Sequence, residues 1–179
     1  MSEYLADTYQ NAFQLGEAAL KNGHGLTIDT DAGVDTYWGP DLARFMDELA
    51  PGEPFEIVAL VPMPEAPEDE PACAWTITRD HLADADQTGS KWTYGPGEVS
   101  ERQAAMLTAG APLVDGYERH VFRMYDDDGE LYYTGRAVFR VEEGPLFEDV
   151  LLAPLVDFGS PDAGAVRITW HGHPEWECS

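Results

Sequence analysis

The stretch that decides the fold is residues 117–141, which read YERHVFRMY, DDDG and ELYYTGRAVFRV in succession. Residues 117–125 and 130–141 are long and rich in β-branched and aromatic side chains, a composition typical of strands. Between them lies Asp126-Asp127-Asp128-Gly129, which is a turn signal because Asp and Gly tolerate positive φ. The sequence therefore predicts a long β-hairpin in the C-terminal half.

On the N-terminal side of this hairpin, apolar residues recur at helical spacing in three places. The predicted helices cover residues 3–22, residues from Pro40 to the Pro51-Gly52 stop, and residues from a Ser100/Gln103 capping box to Gly110. Further strands are predicted at 26–29, 55–61, 72–78 and 165–171, with an irregular segment at 80–97.

The order of these elements indicates the fold class. Helices come early and the longest strands come late, which favours an α+β fold over a doubly wound parallel sheet. We expect an antiparallel sheet formed mainly by the C-terminal half, with about three helices mainly from the N-terminal half.

The length of 179 residues predicts a single domain spanning 1–179. Residues 62–71, PMPEAPEDEP, hold too many prolines and acids for a helix or a ladder, so we expect an exposed loop within that domain. A domain boundary at this loop is the alternative, which the short stretch of 61 preceding residues disfavours. No apolar run reaches the roughly 20 residues of a membrane helix. The N-terminus lacks the basic-then-apolar pattern of a signal peptide. Two distant cysteines, Cys73 and Cys178, give no disulfide framework, which favours a cytoplasmic protein.

Charge is the strongest compositional feature, with 34 Asp and Glu against 10 Lys and Arg and a net charge of −24. Such a field repels nucleic acid and anionic membranes, so we expect neither direct nucleic-acid binding nor a membrane partner. It favours basic protein surfaces or metal cations. Two alternatives stay open: the acids keep the protein soluble, or the host is salt-loving.

The first functional hypothesis is a non-enzymatic acidic binding protein that occupies a basic surface of a partner, such as a nuclease or a DNA-binding protein. A DNA mimic is one form of this function, because Asp and Glu can copy part of the phosphate pattern of DNA. An immunity protein against a basic toxin is a close variant. The expected partner-binding residues are acidic and fall in two groups: Glu65, Glu68, Asp69, Glu70, Asp80, Asp84 and Asp86, and then Asp126, Asp127, Asp128, Glu142 and Glu143.

The second hypothesis is a metal-binding protein or small enzyme that uses the C-terminal His/Glu cluster. On a strand, His171 and His173 point the same way and could share one ion with Glu175, while His120 could join them in a cleft. The alternative at this stretch is a polar terminal strand whose Trp170 and Trp176 pack on the sheet. A third hypothesis is an acidic accessory domain without a basic partner.

The common catalytic motifs are absent, including phosphate-binding glycine loops, G-x-S-x-G and H-E-x-x-H. We therefore assign no catalytic residue and no cofactor. Cys73 sits in an apolar strand and is expected to be an inert core thiol.

Arginines are concentrated in the predicted strands. By strand periodicity, Arg119 and Arg123 share a face, as do Arg136 and Arg140. Pairing of these arginines and Arg167 with nearby carboxylates is the main expectation, and an anion-binding arginine face is the alternative.

Two stretches, FRMYDDDGELYYTGR (122–136) and APLVDFGSPDAGA (153–165), resemble small acidic proteins of actinobacteria, their plasmids and their phages. The resembling part covers about residues 117–172. The resemblance implies a mobile-element origin in a GC-rich host rather than a salt-loving one; it implies origin and not chemistry. With that origin, the acidic binding protein of the first hypothesis would be an inhibitor of host defence or host DNA transactions. The resemblance assigns no functional residue.

Overall fold

The structure, a computed structural model, describes residues 9–48, 55–78, 92–95, 99–141 and 148–178. The chain divides into two compact units. The first comprises residues 1–68 and 100–112, and the second comprises residues 69–99 and 113–179. One boundary thus lies inside the 62–71 loop, which is free of helix and strand as expected. That the chain behaves as a single domain stays a prediction.

The first unit is built on a small antiparallel sheet. Its described elements are α1 (Tyr9–Asn22), β1 (Gly25–Thr30), β2 (Gly33–Tyr37), α2 (Gly39–Glu48), β3 (Phe55–Val61) and α3 (Glu101–Leu107). The strand order is β2-β1-β3, with both pairings antiparallel. The apolar stripes of α1 and α2 and the inner face of the sheet form one core, made of Ala12, Ala19, Leu26, Ile28, Leu42, Met46 and Ile57. This burial of apolar surface is the main stabilising contribution to the unit.

Two local features of the sequence shape the helices of this unit. The predicted capping box opens α3: the Gln103 N–H donates to Ser100 Oγ at 3.0 Å, and the Ser100 N–H donates to Gln103 Oε1 at 3.3 Å. At the start of α2, Gly39 has φ of 44°, and a Cβ there would lie 1.8 Å from the Ala104 carbonyl oxygen. Only glycine therefore allows α2 and α3 to approach this closely.

The second unit is built on a six-stranded sheet whose order is β5-β4-β7-β6-β8-β9. Its strands are β4 (Cys73–Thr78), β5 (Trp92–Gly95), β6 (Tyr117–Tyr125), β7 (Leu131–Arg140), β8 (Arg167–Trp170) and β9 (His173–Cys178). All neighbouring strands pair antiparallel. Between β7 and β8 come α4 (Glu148–Pro154), a π-helical turn (Leu155–Gly159) and α5 (Ser160–Ala163).

The core of this unit lies between one face of the sheet and that helical segment. Leu151 and Leu155 pack with inward side chains of the central strands, among them Trp75, Phe122 and Phe139. These side chains are almost completely buried. The core fixes the strand register, because a one-residue slip would turn the apolar side chains outward.

The predicted α+β class with antiparallel pairing is confirmed, and so is the hairpin, whose strands are β6 and β7. The helical segment at 148–163 was not predicted, so helices are not confined mainly to the N-terminal half. Strands β2 and β5 were also missed, β5 within the segment expected to be irregular. Strand β3 is an edge strand with Leu60 exposed. Among the described helices, none has the length and apolarity needed to cross a bilayer.

Candidate functional site

The turn between β6 and β7 concentrates negative charge, and we call residues 126–130 the acidic turn. The Asp126 N–H donates to the Glu130 carbonyl at 3.1 Å, while the Asp126 carboxylate accepts from the Glu130 N–H at 2.7 Å. Gly129 supplies the positive φ of 84° that closes the turn. The carboxylates of Asp126, Asp127 and Asp128 lie within 4.8 Å of one another.

The members of the acidic turn differ in exposure. Asp126 is only 9% exposed and its carboxylate accepts a hydrogen bond within the turn, whereas Asp127, Asp128 and Glu130 are exposed. The negative charge of the acidic turn acts on Tyr132. The charge of Asp126, followed by burial and smaller effects of the neighbouring acids, raises the pKa of the Tyr132 phenol. The exposed charge therefore comes mainly from Asp127, Asp128 and Glu130, presented on a short turn between two long strands.

The acidic loop at 62–71 supplies part of the expected surface. Glu65, Glu68 and Asp69 are exposed. Glu70 is not: its side chain has no exposed area and accepts from Tyr117 Oη at 2.7 Å and from Arg140 Nη2 at 3.3 Å. The expectation that Glu70 belongs to a partner-binding surface is therefore wrong. It anchors the end of the loop to the sheet, because a buried carboxylate needs partners for its charge.

The remaining acids of the expected binding surface lie outside the described residues. These are Asp80, Asp84, Asp86, Glu142 and Glu143.

The C-terminal His/Glu cluster is only partly brought together. His173 Nδ1 lies 3.1 Å from Glu175 Oε1, so these two side chains pair. Among the described residues, His171 does not join them in a group of three possible metal ligands. It stands in the turn between β8 and β9, where Gly172 has φ of 80° and the His171 N–H donates to the Val121 carbonyl at 2.9 Å. The strand periodicity that placed both imidazoles on one side does not hold across a turn, and the predicted trio of His171, His173 and Glu175 is wrong in this respect.

The partner of His173 is instead His120 of β6. The two imidazole centroids are 4.9 Å apart, with the rings at 76° to one another. Trp176 stacks in parallel on His173 at 3.6 Å, and His120 stacks on Phe139 at 5.6 Å. Trp176 and Trp170 pack at this edge of the sheet, 6.2 Å apart, as the terminal-strand alternative expected.

Each of these histidines has its own carboxylate. His120 Nε2 lies 3.1 Å from Glu118 Oε2, in parallel with the His173–Glu175 pair. The hydrogen bond from the Glu175 backbone N–H, and after it the His173 contact, lower the pKa of Glu175. Glu118 was not among the expected site residues. Its position two residues before His120 on a strand is the signal that could have identified it.

The strand arginines lie on the face of the large sheet opposite to the core. The register sets Arg119 opposite Val138, Arg136 opposite Val121, Arg140 opposite Tyr117 and Arg167 opposite Tyr125. Carboxylate pairing, the main expectation, is confirmed for Arg140 with Glu70 and for Arg167 with Glu177, each at 3.3 Å. Burial, and then the nearby charge of Arg136, lower the pKa of Arg119.

The two cysteines are free. Burial, with a smaller effect of the Asp157 charge, raises the pKa of the Cys73 thiol to about 12. The core position expected for Cys73 is confirmed, and because the thiolate is the nucleophilic form, its inertness is what we predict.

No protein-family model, curated protein or solved structure matches this chain. The resemblance to acidic actinobacterial and phage proteins therefore stays a prediction.

Proposed function

We propose that this protein is a cytoplasmic, non-enzymatic acidic binding protein that occupies a basic surface of a partner. The observation that carries the proposal is a surplus of exposed carboxylates that have no cation beside them. Among the described residues, Glu65, Glu68, Asp69, Asp127 and Asp128 are exposed and form no ion pair. The arginines whose ion pairs are resolved contact other acids: Asp41, Glu70 and Glu177.

The acidic turn supports a nucleic-acid-like charge density. Of the three carboxylates that lie within 4.8 Å of one another, those of Asp127 and Asp128 are exposed, and duplex DNA carries one phosphate charge per roughly 1.7 Å of its axis. The turn is held by its own hydrogen bonds between strands of 9 and 10 residues. A partner therefore loses little free energy in ordering it on binding.

This charge distribution suits a DNA mimic that inhibits a host nuclease or a nucleic-acid-binding defence protein. The resemblance to proteins of phages and plasmids supports that form of the proposal. An immunity protein against a basic toxin uses the same electrostatics and is the close variant. In either form, association is steered by charge and is fast and salt-sensitive.

The experiment is a pull-down with the tagged full chain from a nuclease-treated actinobacterial lysate, eluted in salt steps and analysed by mass spectrometry. Three proteins are compared: the wild type, Asp127→Asn with Asp128→Asn, and a control, Asp31→Asn with Asp35→Asn. The control removes the same charge from exposed acids elsewhere. We expect one basic nuclease or DNA-binding protein to be retained at low salt and released at elevated salt, with a selective loss for the acidic-turn variant.

Equal loss in both variants would show general charge attraction and contradict a recognition surface at the acidic turn. Absence of any stoichiometric basic protein would contradict the function itself. A gel-shift assay with duplex DNA complements the pull-down, since the field of the protein predicts no shift.

A further inference from the structure

The pair formed by His120 and His173 goes beyond the proposed function. His120 lies on β6 and His173 begins β9, with β8 between these strands in the sheet order. The turn at His171-Gly172 brings the start of β9 beside β6, where the imidazole centroids are 4.9 Å apart. The packing of the sheet edge thus places two metal-ligating side chains in contact.

The hydrogen bonds leave one nitrogen of each ring for a further ligand. Glu118 faces Nε2 of His120, and Glu175 faces Nδ1 of His173, each at 3.1 Å. A neutral imidazole that donates its N–H to a carboxylate carries its lone pair on the other nitrogen. Those nitrogens are Nδ1 of His120 and Nε2 of His173. Metal-ligating histidines almost always donate their other ring N–H to a carboxylate, a backbone carbonyl or a water, and the carboxylates of Glu118 and Glu175 fit that arrangement.

The spacing and the packing fit a shared ion. Two nitrogen ligands, each at about 2.0–2.1 Å from a metal, lie roughly 3–4 Å apart. Ring centroids 4.9 Å apart are compatible with that separation. The Trp176 ring stacks on His173 with only 5° between the planes, and the His120 side chain is 13% exposed and stacked on Phe139. Both rings are therefore held in place before a ligand binds.

We propose that His120 and His173 form an open binding site for a late first-row divalent transition metal, with Glu118 and Glu175 as the carboxylates that orient the two imidazoles. Imidazole nitrogen suits Cu²⁺, Ni²⁺ and Zn²⁺ rather than Ca²⁺ or Mg²⁺. Among the described residues, no third protein donor joins this pair at ligand distance. Water completes the coordination, and affinity follows the order in which Cu²⁺ exceeds Ni²⁺ and Zn²⁺. The net charge of −24 raises the local concentration of cations.

The test is a Cu²⁺ titration of the full chain, monitored by tryptophan fluorescence and by electron paramagnetic resonance. We expect one equivalent of Cu²⁺ to bind with two nitrogen ligands and to quench fluorescence, because Trp176 lies against His173. His173→Gln is expected to weaken binding at least about tenfold, and Glu175→Gln by about 10–100-fold, the usual effect of losing an orienting carboxylate. His171→Gln, in the adjacent turn, is the matched control. It is expected to change the affinity for Cu²⁺ by less than about twofold, because His171 is not a ligand in the proposed site and the metal-binding residues stay in place.

His120→Gln extends the test, with circular dichroism to confirm that this less exposed position still folds. The proposal is overturned if His173→Gln binds Cu²⁺ as tightly as the wild type, or if His171→Gln weakens binding equally. It is also overturned if the resonance spectrum shows only oxygen ligands and Asp127→Asn with Asp128→Asn abolishes binding, because the ion would then reside at the acidic turn. These outcomes do not depend on whether a basic partner is found.

Discussion

At the scale of single residues, Glu70 shows how the chain handles a carboxylate that it buries. The side chain is completely buried, yet it meets the hydroxyl of Tyr117 and the guanidinium of Arg140. Arg140 itself remains 39% exposed at its side chain. Loss of the Glu70 charge therefore leaves a cation that can still be hydrated, which limits the cost compared with a fully buried pair.

We predict that Glu70→Gln lowers the free energy of unfolding by about 1–3 kcal/mol, the range for a buried charged hydrogen bond left unmade. Urea unfolding measures the difference. The control is Glu68→Gln, which changes an exposed carboxylate in the same loop and is expected to stay within about 0.5 kcal/mol of the wild type. Equal effects of the two substitutions would mean that the Glu70 contacts contribute nothing specific.

The two thiols give a second prediction at this scale. Cys73 is buried and Cys178 is partly exposed, and burial also raises the pKa of Cys178. In the native protein at pH 8, we expect Ellman's reagent to label Cys178 within the assay and Cys73 only after unfolding in guanidinium. Cys178→Ser is expected to abolish the labelling of the native protein. Fast labelling of native Cys178→Ser would show that the strand carrying Cys73 opens.

The raised pKa of Cys73 also fixes a pH dependence. In the unfolded chain the thiol ionises near 9.0, whereas in the folded chain its pKa is about 12. Below pH 9 both states hold the proton, so the stability due to this group is fully present. Between pH 9 and pH 12 only the unfolded state ionises, and stability falls. Urea unfolding of the wild type and Cys73→Ala should therefore diverge as the pH rises through this window, and parallel curves would contradict the shift.

At the scale of elements, Gly39 tests how α2 meets α3. Its φ is positive and a Cβ would lie 1.8 Å from the Ala104 carbonyl oxygen. Gly110 also has a positive φ, of 78°, but nothing lies within 4 Å of a Cβ there. We predict that Gly110→Ala costs about 1–2 kcal/mol for the left-handed backbone alone. Gly39→Ala adds a backbone clash and is expected to cost at least about 3 kcal/mol, in the range of severe effects. Equal costs, measured by thermal unfolding, would exclude a tight α2–α3 contact.

The elements that the sequence predicted are those with local signals. The hairpin of β6 and β7 has its turn residues in place, and α3 has its capping box. The segment at 148–163 is harder to predict from local signals, because Pro154 lies inside its helical pattern. It is helical because Leu151 and Leu155 pack on the core of the large sheet. Such tertiary packing overrides the weak intrinsic helix propensity of the segment.

The candidate sites can be sorted in the same way, into those that local sequence predicts and those that depend on tertiary packing. The acidic turn could be predicted because its residues are adjacent in sequence. For the histidines, the sequence indicated only that His120 could join His173 in a cleft. Their direct contact depends on where the β8–β9 turn places His173, which the local sequence does not determine. Gly172 next to His171 was the available sign of that turn. Burial of Glu70 likewise depends on two residues far along the chain, Tyr117 and Arg140.

At the scale of the whole molecule, the dominant quantity is the net charge of −24. Exposed acids repel one another, and this repulsion destabilises any compact state of the chain. The exposed ion pairs that salt would weaken, such as Arg44 with Asp41 and Arg167 with Glu177, contribute at most about 1 kcal/mol each. Salt should therefore weaken the repulsion between acids more than it weakens the attraction within ion pairs, and the net effect should be stabilising.

We predict that the melting temperature rises when NaCl is increased from 10 mM to 500 mM in a buffer free of divalent metals. Across this range the screening length falls from about 30 Å to a few ångströms, so repulsion between distant carboxylates is largely removed. Asp31→Lys with Asp35→Lys reduces the net negative charge by four from −24 at exposed positions, and is expected to show a smaller rise. Calorimetry with both proteins measures it. A melting temperature that falls with salt would mean that attraction within ion pairs contributes more to stability than repulsion between acids removes. The charged residues would then stabilise the fold rather than remain available for a basic partner.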